Sequence, residues 1–197
     1  MKTIPILFST AMVQALLEGR KTQTRRIVKS RHESGQFQIS RNKSSGQITS
    51  INSLDWDERD CEKDIFCPYG NVGDVLWVRE TSIQTQVPTK NGIVTEFIYK
   101  ADGESVPGAP WKPSIFMPKA ACRLFLKVTD VSVERLQDIS EGDAVAEGID
   151  SDGGWENPPT ERFCNVWQKI NGPDSWDANP WVWVVTLEKT EKPENFI

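Results

Sequence analysis

The chain has 197 residues and a formal net charge of −5, with eight tryptophans. It has no run of eighteen apolar residues and does not begin with the long apolar core of a secretory signal, so we expect no membrane partner and a cytoplasmic location. The acidic balance disfavours a general nucleic-acid coat protein. This length suits a single domain over 1–197 with one sizeable core.

The cysteines are scattered along the chain without a close pair, which predicts free thiols in a reducing compartment. They are Cys61, Cys67, Cys122 and Cys164. Cys61, Cys67 and the single histidine, His32, do not have the spacing of a common zinc site. We therefore predict no metal site.

The first elements in chain order are a short strand and a short helix. Residues 4–8 are apolar and predict a buried strand. Ser9 caps a helix whose apolar stripe includes Val13 and Leu16, and Gly19 ends it. The next residues, 19–26, place four cations and two hydroxyls directly behind this docked helix. The polar residues of 19–26 are Arg20, Lys21, Thr22, Gln23, Thr24, Arg25 and Arg26.

The middle of the chain alternates between irregular and regular stretches. Residues 29–64 are rich in polar residues and glycine, which predicts an irregular insertion, either a hairpin or a mobile excursion. Strands are predicted at 75–80, 97–101 and 122–131, where branched and aromatic residues are frequent.

The last third is predicted to contain two helices and a strand. A capping-box pattern begins a helix at Ser140 that Gly148 ends, and apolar residues at helical spacing predict another helix over 160–170. A strand follows at 181–188, and 189–197 is predicted to be a polar tail. Several strands with three short helices indicate an α+β domain.

Charge is distributed unevenly along the chain. Residues 20–43, the basic segment, contain a single acid, Glu33, whereas residues 130–156, the acidic segment, contain a single cation, Arg135. The basic segment could attract phosphate, or the two segments could face and partly neutralise each other.

Several blocks together resemble the ASCH family. These are 5–9 (PILFS), 16–26 (LLEGRKTQTRR), 67–80 (CPYGNVGDVLWVRE), 111–118 (WKPSIFMP), 136–140 (LQDIS), 147–149 (EGI) and 179–184 (NPWVWV). They occur in the order found in ASCH proteins of phages and prophages. The resemblance implies a PUA-like β-barrel with short flanking helices, here with an irregular insertion at 29–64.

The resemblance also implies an activity. Small bacterial ASCH proteins hydrolyse the amide of N4-acetylcytidine with a Lys, a Thr and a Glu, which correspond here to Lys21, Thr24 and Glu147, with Glu80 as the alternative carboxylate. A hydroxyl nucleophile, a lysine of lowered pKa and a carboxyl acid form a workable set without metal or organic cofactor. Gln23 and Arg25 depart from the small enzymes, which tend to have apolar residues there.

Other interpretations remain open at this stage. The expected partner is a modified nucleoside or an RNA. Arg20, Arg25 and Arg26 are suited to phosphate, and Trp77, Trp111 or Tyr69 could stack a base, although core packing is the ordinary role of a tryptophan. Non-catalytic RNA or modified-nucleotide binding by Arg20, Arg25, Arg26, Lys29 and Arg31 is one alternative. Ribonuclease activity is another, although a single histidine excludes a paired-histidine mechanism. The sequence does not determine the oligomeric state.

Overall fold

The structure is a computed structural model that describes residues 1–29, 37–41, 48–53, 66–90, 92–103, 108–152 and 157–196. Within these ranges helices lie beside a mixed sheet, which confirms the α+β class. The strands are β1 (Thr3–Leu7), β2 (Gln23–Ile27), β3 (Phe37–Arg41), β4 (Ile48–Ser53), β5 (Val75–Arg79), β6 (Ser82–Thr89), β7 (Gly92–Tyr99), β8 (Phe125–Arg135) and β9 (Trp181–Thr190). The α-helices are α1 (Thr10–Leu17), α2 (Glu141–Ala146) and α3 (Pro159–Asn171). None of the helices in these ranges is long and apolar enough to cross a membrane.

The main sheet has five strands in the order β1-β5-β8-β9-β2. β1 runs parallel to β5, and the other neighbours are antiparallel. β1 and β2 are therefore the two edges, and the expectation of a closed barrel is wrong for the described strands. Instead of a backbone ladder, a side chain joins these edges, because Arg26 Nη2 donates to the Leu7 carbonyl at 2.9 Å. The Arg26 side chain thus links two edge strands whose backbones do not pair.

β9 separates two apolar clusters, because its side chains alternate between the faces of the sheet. Trp183, Val185 and Leu187 join the cluster that includes residues of α1. Val182 and Val184 join the cluster that includes residues of α2 and α3. The edge strand β2 pairs with β9. It is therefore held between α1 on one face and α3 on the other.

The remaining described strands form two hairpins, each a two-stranded sheet separate from the main sheet. β3 and β4 pair antiparallel within the predicted insertion, with Ile39 opposite Ile51. The remainder of 30–64 lies outside the described residues. β6 and β7 form the other hairpin, with Val87 opposite Val94. The sequence predicted a strand only at 97–101, and β6 was missed because its sequence alternates weakly and half of its residues are exposed.

The C-terminal residues differ from the predicted polar tail. β9 continues to Thr190, and Phe196 folds back so that only 5% of its surface is exposed. Its ring centroid lies 4.8 Å from that of Phe125 and 5.7 Å from that of Trp77. One aromatic residue within a polar run has no periodicity that sequence patterns could detect, yet it covers this end of the core.

We expect Phe196→Ala to lower the free energy of unfolding by about 3 kcal/mol, because it removes a buried ring and leaves a cavity against Phe125. Urea denaturation measures the change. Phe116→Ala is the matched control, because Phe116 is 68% exposed and its loss should cost less than about 0.5 kcal/mol. Equal effects of the two substitutions would contradict this packing.

Candidate active site

The turn between α1 and β2 places the cations of 19–26 against the body of the protein. Ser9 caps α1 through a hydrogen bond from the Met12 amide, and Gly19 takes a left-handed conformation (φ 77°) just after the helix. The amides of Arg20 and Lys21 both donate to the Ala15 carbonyl, at 2.9 and 3.1 Å. The backbone therefore turns sharply and carries Lys21 inward rather than into solvent.

Lys21 is almost completely buried, with 3% of its surface exposed. Its Nζ donates to the Glu147 Oε2, to the Glu147 carbonyl and to the Gln23 carbonyl, each at 2.7 Å. These bonds use all three donors of an ammonium group. Burial lowers the pKa of Lys21 below its ordinary value despite the opposing effect of the Glu147 carboxylate, and the charges of Arg26 and Arg25 lower it further.

Glu147 reaches Lys21 because the end of α2 approaches the turn after α1 very closely. The capping box of Ser140 and Asp143 begins α2 as predicted, and the Thr22 amide donates to the Ala146 carbonyl at 2.7 Å. Gly148 has φ 96°, and a Cβ there would lie 2.8 Å from the Ala15 Cβ. Only glycine permits both this conformation and this contact.

Arg25 and Arg20 are neutralised by carboxylates of the acidic segment. Arg25 lies 2.8 Å from Glu134 through its Nε and 3.5 Å from Glu147 through Nη1. Arg20 Nη1 lies 3.1 Å from Asp150. With the Lys21–Glu147 pair, these contacts bring the first residues of the basic segment, 20–25, against the acidic segment. For these residues the structure forms the arrangement in which the two charges neutralise each other.

A pocket of about 200 Å³ opens at the edge strand β2, between α1 and α3. The lining residues are Met12, Thr24, Arg25, Arg26, Ile27, Lys29, Tyr69, Glu147, Phe163, Val166, Trp167, Ile170 and Asn171. Thr24 and Glu147 thus share one pocket, and Lys21 adjoins it through its ion pair with Glu147. The pocket is polar along β2 and apolar along α3.

Arg26 differs from its neighbours because no carboxylate among the described residues pairs with it. Its Nη2 donates to Leu7, and its guanidinium lies 5.6 Å from the Phe8 ring centroid and 6.0 Å from that of Tyr69. Its Nε is buried and has no hydrogen-bond partner in the described part of the chain. Lys29, also in the pocket lining, is exposed.

Trp77 and Glu80, like Arg20 and Lys21, are not among the residues that line this pocket. Trp77 is buried in the aromatic cluster with Phe125 and Phe196, so it packs in the core. Glu80 is buried with both carboxylate oxygens on Arg123, at 2.9 and 3.0 Å. Of the two candidate carboxylates, only Glu147 contacts Lys21.

Residues of α3 form a wall of the pocket that the sequence did not assign to a site. Phe163, Val166, Trp167 and Ile170 have helical spacing, which predicted the helix but is equally typical of core packing. Val166 and Ile170 are partly exposed, and the Trp167 Nε1 is buried without a partner among the described residues. In the structure Phe163 and Trp167 are buried, whereas Val166 and Ile170 remain exposed. The helical spacing alone does not reveal this difference.

No family model, curated protein or solved structure matches the chain. Within the described ranges, no group of three or more His, Cys, Asp or Glu side chains is placed to hold a metal ion. Cys61 and His32 lie outside those ranges.

We expect the difference in free energy of unfolding between the wild-type protein and a Lys21→Met variant to change with pH. The wild-type value should rise relative to that of the variant as the pH approaches 10.5. The pKa of Lys21 is lowered in the folded state, so between that value and the ordinary 10.5 the unfolded chain binds more protons. Urea denaturation of both proteins across this range at fixed ionic strength gives the difference. A difference that stays flat or falls with pH would show that Lys21 is not held in a desolvated position.

We expect Gly148→Ala to destabilise the fold by at least about 1–2 kcal/mol, because a left-handed conformation and a contact with Ala15 oppose the new Cβ. Gly142→Ala in α2 is the control, since a Cβ there meets nothing closer than 3.8 Å. The control should be neutral or slightly stabilising, because alanine favours helix. Thermal unfolding of both variants checks the prediction, and a neutral Gly148→Ala would contradict it.

Proposed function

We propose that this pocket hydrolyses the amide of an N4-acylated cytosine nucleoside, of which N4-acetylcytidine is the simplest example. Thr24 acts as nucleophile, Lys21 as base and Glu147 as acid. The observation that carries the proposal is that Thr24 and Glu147 line one pocket while Lys21 contacts Glu147 at 2.7 Å. Within this proposal the chain is an ASCH protein of PUA-like type, with 19–26 and the end of α2 forming its active site.

The Lys21–Glu147 hydrogen bond offers a route to the protonation states that the reaction needs. Transfer of a proton from Nζ to Oε2 within the pair converts an ammonium and a carboxylate into a neutral amine and a neutral acid. Burial lowers the pKa of Lys21, which makes its neutral amine easier to reach. The pair thereby supplies a base and an acid at the same moment.

The covalent steps then balance without any external reagent except water. Lys21 Nζ accepts the Thr24 hydroxyl proton as Oγ1 attacks the amide carbonyl carbon. The C–N bond breaks, the cytosine amine takes a proton from Glu147, and the acyl group remains on Thr24 as an ester. Water hydrolyses this ester to release the carboxylic acid and restore the hydroxyl.

The charge pairing disfavours the open cationic groove of the RNA-binding alternative. Arg20 and Arg25 form ion pairs with carboxylates of the acidic segment. Arg31 and His32, on which parts of the binding and ribonuclease alternatives depend, lie outside the described residues. Arg26 and Lys29 are the cations of that predicted groove that remain available in the described part of the chain. Two cations suit one small anionic group better than the long backbone of a polymer.

We expect the purified protein to hydrolyse N4-acetylcytidine. The loss of absorbance of the acylated base measures the reaction, and the deoxy analogue and longer acyl derivatives are assayed in parallel. Thr24→Val and Lys21→Met should each lower kcat by about 100-fold or more, because each removes a group that acts in the transition state. Thr24→Ser should retain measurable turnover, since it keeps a hydroxyl.

Thr22→Val is the matched control, because Thr22 is an exposed threonine in the same turn. It should keep wild-type turnover. Undiminished hydrolysis by Thr24→Val would remove Thr24 from the mechanism, and a wild-type protein inactive on all these substrates would refute the proposed activity.

A further inference from the structure

The pocket contains more positive charge than the catalytic set requires. Arg25, Arg26 and Lys29 line it together with a single carboxylate, Glu147. Arg25 is already satisfied by Glu134 outside the lining, at 2.7 Å through Nη2. Glu147 is committed to Lys21. The charges of Arg26 and Lys29 are therefore left without a carboxylate among the described residues.

Arg26 is held in one place even though no carboxylate among the described residues pairs with it. The Leu7 carbonyl and the faces of Phe8 and Tyr69 fix its guanidinium. Its Nε has no acceptor in the described residues, and an unsatisfied buried donor of a charged group is costly. A pre-oriented guanidinium with spare donors suits the oxygens of a phosphate.

Lys29 adds a second positive charge to the lining of the pocket. It follows the end of β2 by two residues, and its side chain is exposed. A flexible ammonium can reach an anion at the mouth of the pocket, whereas the guanidinium of Arg26 is fixed. The apolar wall of α3, with Val166 and Ile170, supplies no acid that would oppose an anionic ligand.

We infer that the ligand of this pocket is a phosphorylated cytosine nucleotide whose phosphate is bound by Arg26 and Lys29, rather than an uncharged nucleoside. The inference rests on the proposed function for the identity of the base. It separates the cations of the site into two roles. Arg20 and Arg25 stabilise the fold through carboxylates, and Arg26 and Lys29 select a substrate that carries a phosphate.

The test compares binding of cytidine 5′-monophosphate and cytidine by calorimetry. We expect the wild-type protein to bind the monophosphate at least about tenfold more tightly, because cytidine lacks the phosphate and cannot make the charge-assisted contact. Lys29→Gln and Arg26→Gln should each reduce this preference, because each removes one of the two cations that line the pocket without a carboxylate partner among the described residues. Lys127→Gln, which removes an exposed lysine of β8, is the matched control for Lys29 and should keep the full preference.

A short single-stranded RNA containing cytidine distinguishes the two sources of the phosphate. If the pocket takes free nucleotides, the monophosphate should bind more tightly than the RNA. If it takes a nucleotide within a chain, the RNA should bind at least as tightly, and Lys29→Gln should weaken both. Equal affinity for cytidine and its monophosphate in the wild type, or a full preference retained in either folded variant, would overturn the phosphate assignment.

The outcome is independent of the hydrolysis assay. Hydrolysis of N4-acetylcytidine without any preference for the phosphate would support the proposed activity and refute the phosphate site. A phosphate preference that depends on Lys29, in a protein that hydrolyses none of the acylated substrates, would refute the activity and support the phosphate site.

Discussion

The buried pair of Lys21 and Glu147 determines how the ends of two helices meet, and the pocket depends on that meeting. Removing an ammonium and a carboxylate from water is costly, and their attraction offsets the cost only when further polar contacts complete the site. Here the Gln23 and Glu147 carbonyls take the remaining Nζ donors, and Arg25 approaches the second Glu147 oxygen. Replacing either partner alone would leave a charge buried without its counterion.

This pairing links the acidic and basic segments, which are distant in sequence, into one electrostatic unit. Arg20 and Arg25 extend it on either side of Lys21, toward Asp150 and Glu134. A chain with a net charge of −5 can thus retain a small cationic region, because the acids neutralise selected cations and leave Arg26 free of carboxylate partners in the described residues.

Local sequence signals were sufficient to predict much of this arrangement. The cap and glycine stop of α1, the capping box of α2 and the apolar stripe of α3 each depend on residues within a few positions of one another, so their prediction needs no tertiary information. The choice between Glu147 and Glu80 could not be made in this way, because each is defined by a partner far along the chain. Trp77 was misassigned for the same reason, since its neighbour Phe196 lies in a stretch that is otherwise polar. The open sheet was not predicted either, because the pairing of β1 and β2 depends on tertiary contacts, such as the hydrogen bond from Arg26 to the Leu7 carbonyl.

The features that cost stability at this site are the ones that the proposed chemistry would use. Burial lowers the pKa of Lys21, which penalises the charged form in the folded protein and makes the neutral amine easier to reach. A lysine left in solvent would avoid this cost to the folded state. It would, however, be protonated at neutral pH and could not accept a proton. Gly148 contributes to the same balance, because a side chain there would push α2 away from Ala15 and separate Glu147 from Lys21. Stability at this site, and the reactivity proposed for it, therefore depend on one close contact between the end of α2 and the turn after α1.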